Sequence, residues 1–224
     1  MLPNLALPRV ARISAMAATL CLSGLASVVA VPPTAFPAGS TLITFDGLTD
    51  GTEVNGLTFD GVSFTYTVAG SPLNGAVDID GGPGVTNNIT PPNIVSVGNN
   101  SGTLTLTLHS EENLFGYGFA ILSGVVVPNA TTISLFDGAT PVGSLAYSGS
   151  PDPSFTGGFA GIDSTLPFNR VALTFNATAA PAFAVDNIRF AAAPVPEPST
   201  TWLLAAGLAL GFGRLRALRR ANTR

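Results

Sequence analysis

Apolar and polar residues alternate along most of the chain between residues 40 and 192. In "TLTLTLHS" (103–110), leucines occupy every second position and threonines lie between them. "VSFTYTV" (62–68) and "LFGYGFAI" (114–121) repeat the pattern, with large apolar residues opposite small or polar ones. A period of two residues places successive side chains on opposite faces of a β-strand. These segments therefore predict strands with one buried face.

Shorter runs of the same kind predict further strands. They lie near 41–46, 76–79, 93–97, 131–136, 142–148, 156–162, 168–176 and 182–190. Gly, Pro, Asn and Asp separate these runs, and three Phe-Asp-Gly tripeptides supply residues that suit tight hairpins. Short strands with such turns are typical of antiparallel sandwiches. We expect an all-β, jelly-roll-like sandwich, with an immunoglobulin-like sandwich as the alternative.

The first thirty residues follow a different pattern. Arg9 and Arg12 precede an apolar run that ends in small residues. A basic segment, an apolar core and small residues at its end are the features of a secretory signal peptide. We expect a signal helix within residues 1–30, with cleavage after Ala30 or after Ala26. An uncleaved N-terminal anchor is the alternative.

The last thirty residues, 195–224, contain three parts in a fixed order. A Pro-Glu-Pro motif comes first, an uncharged apolar run follows, and the chain ends in a basic cluster. A transmembrane helix over 201–218 would be about 27 Å long, close to the ~30 Å of a bilayer core. Arginines beyond that helix predict a cytoplasmic end, with the large domain outside. The motif is Pro196, Glu197 and Pro198, and the basic cluster is Arg214, Arg216, Arg219 and Arg220.

This order of motif, apolar helix and arginine cluster resembles the PEP-CTERM sorting signal. The resemblance implies recognition by exosortase, a membrane cysteine protease of Gram-negative bacteria that make exopolysaccharide. It implies export through the secretion translocon, transient anchoring in the inner membrane, removal of the tail, and delivery to the cell surface or extracellular matrix. The alternative is a proline linker before an ordinary tail anchor, which would leave a permanently anchored periplasmic protein.

The predicted exported domain, residues 31–194, is strongly acidic. It has twelve acidic residues but only Arg170 and Arg189 as basic ones, a formal net charge of −10. Such a surface repels phosphate backbones, so we expect no nucleic-acid partner. The single cysteine, Cys21, lies in the predicted signal peptide, which excludes disulfides and cysteine-based sites from the domain.

The chemistry-bearing residues of the domain do not form a recognisable catalytic set. His109 is the sole histidine, and the nucleophile elbow G-x-S-x-G is absent. We therefore expect a non-enzymatic structural or binding role, with extracellular polysaccharide as a partner. The alternative is a secreted carbohydrate-active enzyme that uses two of the carboxylates. Tyr147 is the best candidate for a sugar-stacking ring, because the only tryptophan, Trp202, lies in the tail.

The segment "FAVDNIRF" contains a carboxylate in an apolar setting. Strict alternation would place Asp186 on the same face as Ile188 and Phe190, where a lone charge is costly. A cation would relieve this cost, and so would backbone N–H groups that donate hydrogen bonds at the strand end. The segment resembles the last strand of carbohydrate-binding-module-like jelly rolls, where an Asp often holds a structural calcium. By that resemblance, the co-ligands of Asp186 would be Asp46 and Glu53.

Overall fold

The computed structural model describes residues 27–84, 86–96 and 101–192, and the regular structure in these ranges is almost entirely β. It contains twelve strands and one short 3₁₀ turn, Pro33–Ala35. All pairings among these strands are antiparallel, which confirms the predicted all-β, antiparallel class. The strands are β1 (Val28–Ala30), β2 (Thr41–Ile43), β3 (Thr58–Phe59), β4 (Val62–Val68), β5 (Ser71–Pro72), β6 (Val77–Asp80), β7 (Asn93–Ser96), β8 (Thr103–Ile121), β9 (Val127–Asp137), β10 (Thr140–Pro151), β11 (Thr156–Phe175) and β12 (Phe183–Ala191).

The predicted signal helix and the predicted transmembrane helix, 201–218, lie outside the described residues. Within the described ranges, none of the helical structure is long and apolar enough to cross a bilayer.

The two longest strands, β8 and β11, each take part in two layers. The first half of β8 pairs with β4 and with the second half of β11. The second half of β8 pairs with β12 and with the first half of β11. One layer therefore runs β4–β8–β11–β9–β10, and the other runs β6–β7–β12–β8–β11–β1, with β2 also on β12. This arrangement is a β-sandwich whose layers share two bent strands.

Aromatic side chains from the two layers meet in one core. Tyr66 of β4 and Phe183 of β12 belong to opposite layers, and their ring centroids are 6.1 Å apart. Phe183 also stacks on Phe175 of β11 at 4.0 Å. The hydroxyl groups of Tyr117 on β8 and Thr131 on β9 form a buried hydrogen bond between the layers. Apolar burial across these contacts is the main favourable contribution to the stability of the sandwich.

The predicted alternation is confirmed on the strands that define this core. The three leucines in the first half of β8 are at most 4% exposed, while the threonines between them are half-buried or exposed. The predicted strand ends are less accurate, because β8 continues past His109 and β11 joins two predicted strands. The β8–β11 register shifts between Asp163 and Phe168, so the chain bends there without ending the ladder.

Both ends of the described chain reach the same end of the second layer. Ala191 near the close of β12 is opposite Leu114, Leu114 is opposite Asp163, and Asp163 is opposite Val29 of β1. Strands in a sheet are about 4.8 Å apart, so β12 and β1 are separated by about 14 Å. Because β1 runs antiparallel to β12 across this layer, the chain enters β1 and leaves β12 from one end.

Candidate functional site

Strand β12 contains a β-bulge directly after its buried carboxylate. Asp186 is opposite Gly118 of β8, but Arg189 is opposite Gly116, so three steps on β12 match two on β8. Asn187 supplies the extra residue with a φ of 52°. Asn tolerates this left-handed conformation better than most residues, which suits it to the bulge.

The bulge changes which side chains of β12 face the core. Phe183 and Val185 before the bulge lie in the core, and Ile188 and Phe190 after it lie there too. The expectation that Asp186 shares a face with Ile188 and Phe190 is therefore wrong, because the extra residue reverses the alternation between them. Asp186 instead belongs to the outer face of the second layer.

The Asp186 carboxylate is buried and accepts hydrogen bonds from four donors. Thr90 donates to Oδ2 from its backbone N at 2.8 Å and from Oγ1 at 2.9 Å. Asn187 donates from its backbone N to Oδ1 at 2.6 Å and from Nδ2 to Oδ2 at 3.2 Å. Burial raises the pKa of Asp186, and the hydrogen bonds from Thr90 and from the Asn187 backbone oppose the increase. Hydrogen-bond donors thus compensate the burial of the carboxylate.

The same network holds the β6–β7 loop on the outer face of the sheet. Asn187 Nδ2 donates to the Asn88 carbonyl oxygen at 3.1 Å, and Asn88 Nδ2 donates to Asp152 at 2.9 Å. A Cβ atom added at Gly118 would lie 2.3 Å from the Asn88 oxygen. Glycine on β8 is therefore required for the loop to approach the strand this closely.

Asp46, the first predicted co-ligand, lies near Asp186. It is exposed just after β2 and accepts a hydrogen bond from Thr44 Oγ1 at 2.7 Å. Its negative charge contributes to the raised pKa of Asp186. Two of the three residues predicted to bind calcium are therefore within electrostatic range of each other.

Glu53, the second predicted co-ligand, belongs to a different acidic group. Its carboxylate accepts hydrogen bonds from the backbone N–H groups of Asn55 and Gly75. Burial raises the pKa of Asp78, and repulsion from Asp50, Asp80 and Glu53 raises it further. Among the described residues, no three His, Cys, Asp or Glu side chains are grouped so that they could hold a metal ion. The calcium site of Asp46, Glu53 and Asp186 stays a prediction.

A groove of about 230 Å³ lies on the outer face of the second layer. Small side chains from three adjacent strands form its floor: Val95 of β7, Ala184 of β12 and Ala120 of β8. Leu122, which is 48% exposed, and Phe155 supply apolar walls. The groove lies beside the start of β12, whereas the chain leaves the domain at the other end of that strand. Its polar lining residues are Asp80 and Ser96.

A second, wider cavity of about 600 Å³ lies where β12 ends. Glu111 and Glu112 of β8 line it together with Ala192. Glu112 is buried and accepts a hydrogen bond from Ser110 Oγ at 2.6 Å, while Glu111 is exposed. His109, just before this group, is also exposed.

Tyr147 is less available for sugar stacking than the sequence suggests. Its side chain is half-buried against the core, and its hydroxyl donates to the Gly161 carbonyl oxygen. Burial raises its pKa to about 12. Tyr66 and Tyr117 are fully buried. Phe155 is therefore the half-exposed ring that borders a groove, although nothing in the sequence marks it as a sugar-stacking candidate.

The segment after β12 carries the feature that matches a known family. Residues 194–220 match the PEP-CTERM protein-sorting motif. The predicted resemblance is thereby confirmed, and a PEP-CTERM motif indicates export to the cell envelope of a Gram-negative bacterium. The predicted motif residues Pro196, Glu197 and Pro198 lie within the match but outside the described residues. The predicted membrane-stop arginines also lie within the match and outside the described residues: Arg214, Arg216, Arg219 and Arg220.

Similarities over longer parts of the chain are weaker than this local match. The K2 cleaved adhesin domain of Lys-gingipain is 15% identical, with a TM-score of 0.45 over 69% of this chain and 98% of that one. A family 29 carbohydrate-binding module is 11% identical, with a TM-score of 0.40 over 69% of this chain and 89% of that one. No curated protein sequence matches the chain. The proposals below therefore depend on the sorting motif and on the chain's own residues.

The residues that surround Asp186 were not predicted from the sequence. Thr90 is 96 positions away from Asp186, and nothing in either segment indicates that they meet. The bulge did have a local signal, because Asn187 lies inside a strand and Asn is disfavoured in strands. Gly118 opposite Asp186 is a second signal, since glycine inside a strand often marks close approach of another backbone.

Proposed function

We propose that this protein is an exported jelly-roll-like β-sandwich that exosortase releases to the cell surface or extracellular matrix. Its role there is structural or binding rather than enzymatic, and it is linked to exopolysaccharide. The observation that carries the proposal is the PEP-CTERM match at residues 194–220, which begins three residues after the end of β12.

The short connection between the domain and the motif constrains processing. Four residues separate Ala191, the last residue of β12, from Pro196. At about 3.4 Å per residue, an extended connection reaches roughly 17 Å from Ala191 to Pro196. The end of the sandwich therefore stays close to the membrane while the tail is present, and the protease works beside a folded domain.

Processing is tested in the producing cell by mass spectrometry of the envelope and extracellular fractions. The wild-type protein is expected outside the cell without its C-terminal peptide. Replacing Glu197 with alanine is expected to retain the protein in the membrane with its tail intact. Glu111→Ala removes an exposed glutamate outside the match, so it is the matched control and should be released normally. A released wild-type protein that still carries residues 201–218 would contradict the proposal.

We assign polysaccharide contact to the groove beside the start of β12. Sugar rings present apolar faces together with hydroxyl groups, and they bind surfaces that combine a ring with nearby polar groups. Phe155 supplies the ring, and the half-buried Asp80 supplies a carboxylate at the edge. The groove is also at the end of β12 away from the membrane connection, where a large polymer has access.

The contact is tested by affinity electrophoresis of the mature protein in gels that contain the host's own exopolysaccharide. Phe155→Ala is expected to weaken retardation about fivefold, which is the range expected for the loss of one aromatic contact. Leu166→Ala removes an apolar side chain that is 39% exposed and does not line the groove, so it is the matched control. Equal retardation of Phe155→Ala and wild type would refute this assignment without affecting the sorting proposal.

We also propose a structural calcium ion beside Asp186, with Asp46 as the nearest additional carboxylate. The support is the proximity of these two acidic side chains and the overall negative charge of the domain. Calcium binds carboxylate and carbonyl oxygens, both of which the neighbouring loops contain. The ion would stiffen the connection between β12 and the segment that follows β2.

A further inference from the structure

The first strand of the sandwich lies inside the segment that the sequence assigns to the signal peptide. Strand β1 is formed by Val28–Ala30. The small-residue pattern allows cleavage after Ala26 or after Ala30. Cleavage after Ala30 would remove all of β1, whereas cleavage after Ala26 would leave it in the mature protein.

The hydrogen bonds of β1 extend from Ser27 to Val31. The strand pairs with β11 with Val29 opposite Asp163. Val31 N donates to the Gly161 oxygen at 2.8 Å. At the other end, Thr165 N donates to the Ser27 oxygen at 3.0 Å, and Ser27 N donates to Thr165 Oγ1 at 3.0 Å. The ladder thus includes the residues between the two possible cleavage sites.

The β1 side chains also occupy space that the sandwich provides for them. Val28 is half-buried against the core. A Cβ atom added at Gly143 of β10 would lie only 2.4 Å from Val28 Cγ1, so this glycine makes room for the valine. Without β1, the first half of β11 would become an edge with unpaired N–H and C=O groups. Residues 27–31 therefore behave as part of the folded domain.

The topology agrees with cleavage at the earlier position. The chain enters β1 about 14 Å from the point where β12 leaves the same layer, and at the same end. One orientation of the sandwich therefore brings both terminal segments to the membrane. The bond after Ala26 directly precedes Ser27, whose backbone N and O are both hydrogen-bonded to Thr165.

We propose that signal peptidase hydrolyses the Ala26–Ser27 bond and that Ser27 is the mature N-terminus. Gly24 and Ala26 provide the small residues that the enzyme needs on the leaving side of the bond. Water adds across the peptide bond, which gives a carboxylate on Ala26 and an ammonium group on Ser27. That new amino group remains a donor, as its hydrogen bond to Thr165 requires. The inference rests on the proposed export of the protein.

The test is N-terminal sequencing of the protein that the producing cell releases, with intact-mass measurement of the same material. The expected sequence begins Ser-Val-Val-Ala, from Ser27. A sequence that begins at Val31 would overturn this inference and leave the export proposal standing. A released or membrane-bound protein that retains Met1 and the whole N-terminal segment would contradict export by a cleaved signal.

Two single substitutions separate the alternative sites. Ala26→Gln places a large polar residue before the proposed scissile bond, so the Ser27 form is expected to disappear, leaving precursor or a different N-terminus. Ala30→Gln makes the same change at the other site, on an exposed position of β1, and should give the Ser27 form in wild-type amount. Normal processing of Ala26→Gln, or loss of the Ser27 form in Ala30→Gln, would overturn the proposal.

Discussion

Replacing Asp186 with alanine should strongly destabilise the sandwich, because its carboxylate is the common acceptor for four donors. Two of these are backbone N–H groups, from Thr90 and Asn187, and they cannot be removed by the substitution. An unsatisfied buried donor costs about 1–3 kcal/mol, so losing the acceptor for two of them lowers the free energy of unfolding by about 2–6 kcal/mol. For a domain of this size, the melting temperature should fall by about 4–24 °C.

The measurement is thermal and urea unfolding of the purified mature protein, in the presence of chelator so that metal ions do not contribute. Glu111→Ala removes an exposed carboxylate of the same charge and should change the melting temperature by less than about 2 °C. Asp186→Asn retains one acceptor oxygen, so its melting temperature should fall less than that of the alanine variant. If Asp186→Ala and Glu111→Ala melt at the same temperature, the network does not hold the loop and the reasoning is refuted.

Three further predictions concern the close approach at Gly118, the acidic group around Asp78, and calcium. Gly118→Ala should lower the melting temperature by at least about 5 °C, since its Cβ would clash with the Asn88 oxygen, whereas Gly39→Ala, with no atom within 4 Å, should have little effect. Asp78→Asn should stabilise the protein by about 0.5 kcal/mol at pH 7 but not at pH 3. The folded state raises the pKa of Asp78, so the stability of the wild type falls as the pH rises through that raised value. Urea unfolding of both proteins at pH 7 and at pH 3 measures the stabilisation by Asp78→Asn. An equal stabilisation at the two pH values would contradict this prediction. Calcium at a hundredfold excess over its dissociation constant should stabilise the wild type by about 2.7 kcal/mol, measured as a melting shift against chelator, and the absence of any shift would exclude the ion.

The features that the sequence predicts correctly are those encoded by local periodicity. The burial of Leu104 and Phe119 can be predicted because each lies in a run of period two. That prediction does not require the partner strand to be known. The sorting motif is likewise a linear signal, readable without a fold. Strand ends were predicted less well, since the bend in β8 after His109 depends on pairing with two different sets of neighbours.

The candidate site is harder to predict because its parts are far apart in sequence. One extra residue at Asn187 reverses the side-chain alternation, so periodicity alone would place Asp186 on the same face as Ile188 and Phe190, which lie in the core. The contact with Thr90 depends on how the β6–β7 loop folds back, which no short-range pattern specifies. Strand β1 was missed for another reason: "SVVA" also completes the apolar run of a signal peptide, and only the pairing with β11 separates the two roles.

The position of the groove relative to the two chain ends affects when the protein can act. Strand β12 has nine residues, so its start and its end are about 26 Å apart. A molecule still held by its tail would carry the groove on the side that faces outward, within reach of polymer. Given the proposed binding of polymer in the groove, such a molecule would fasten the cell to its own matrix, and cutting the tail would free the matrix from the cell while leaving polymer binding unchanged. The timing of proteolysis, rather than any change in affinity, would then set how firmly the cell is attached.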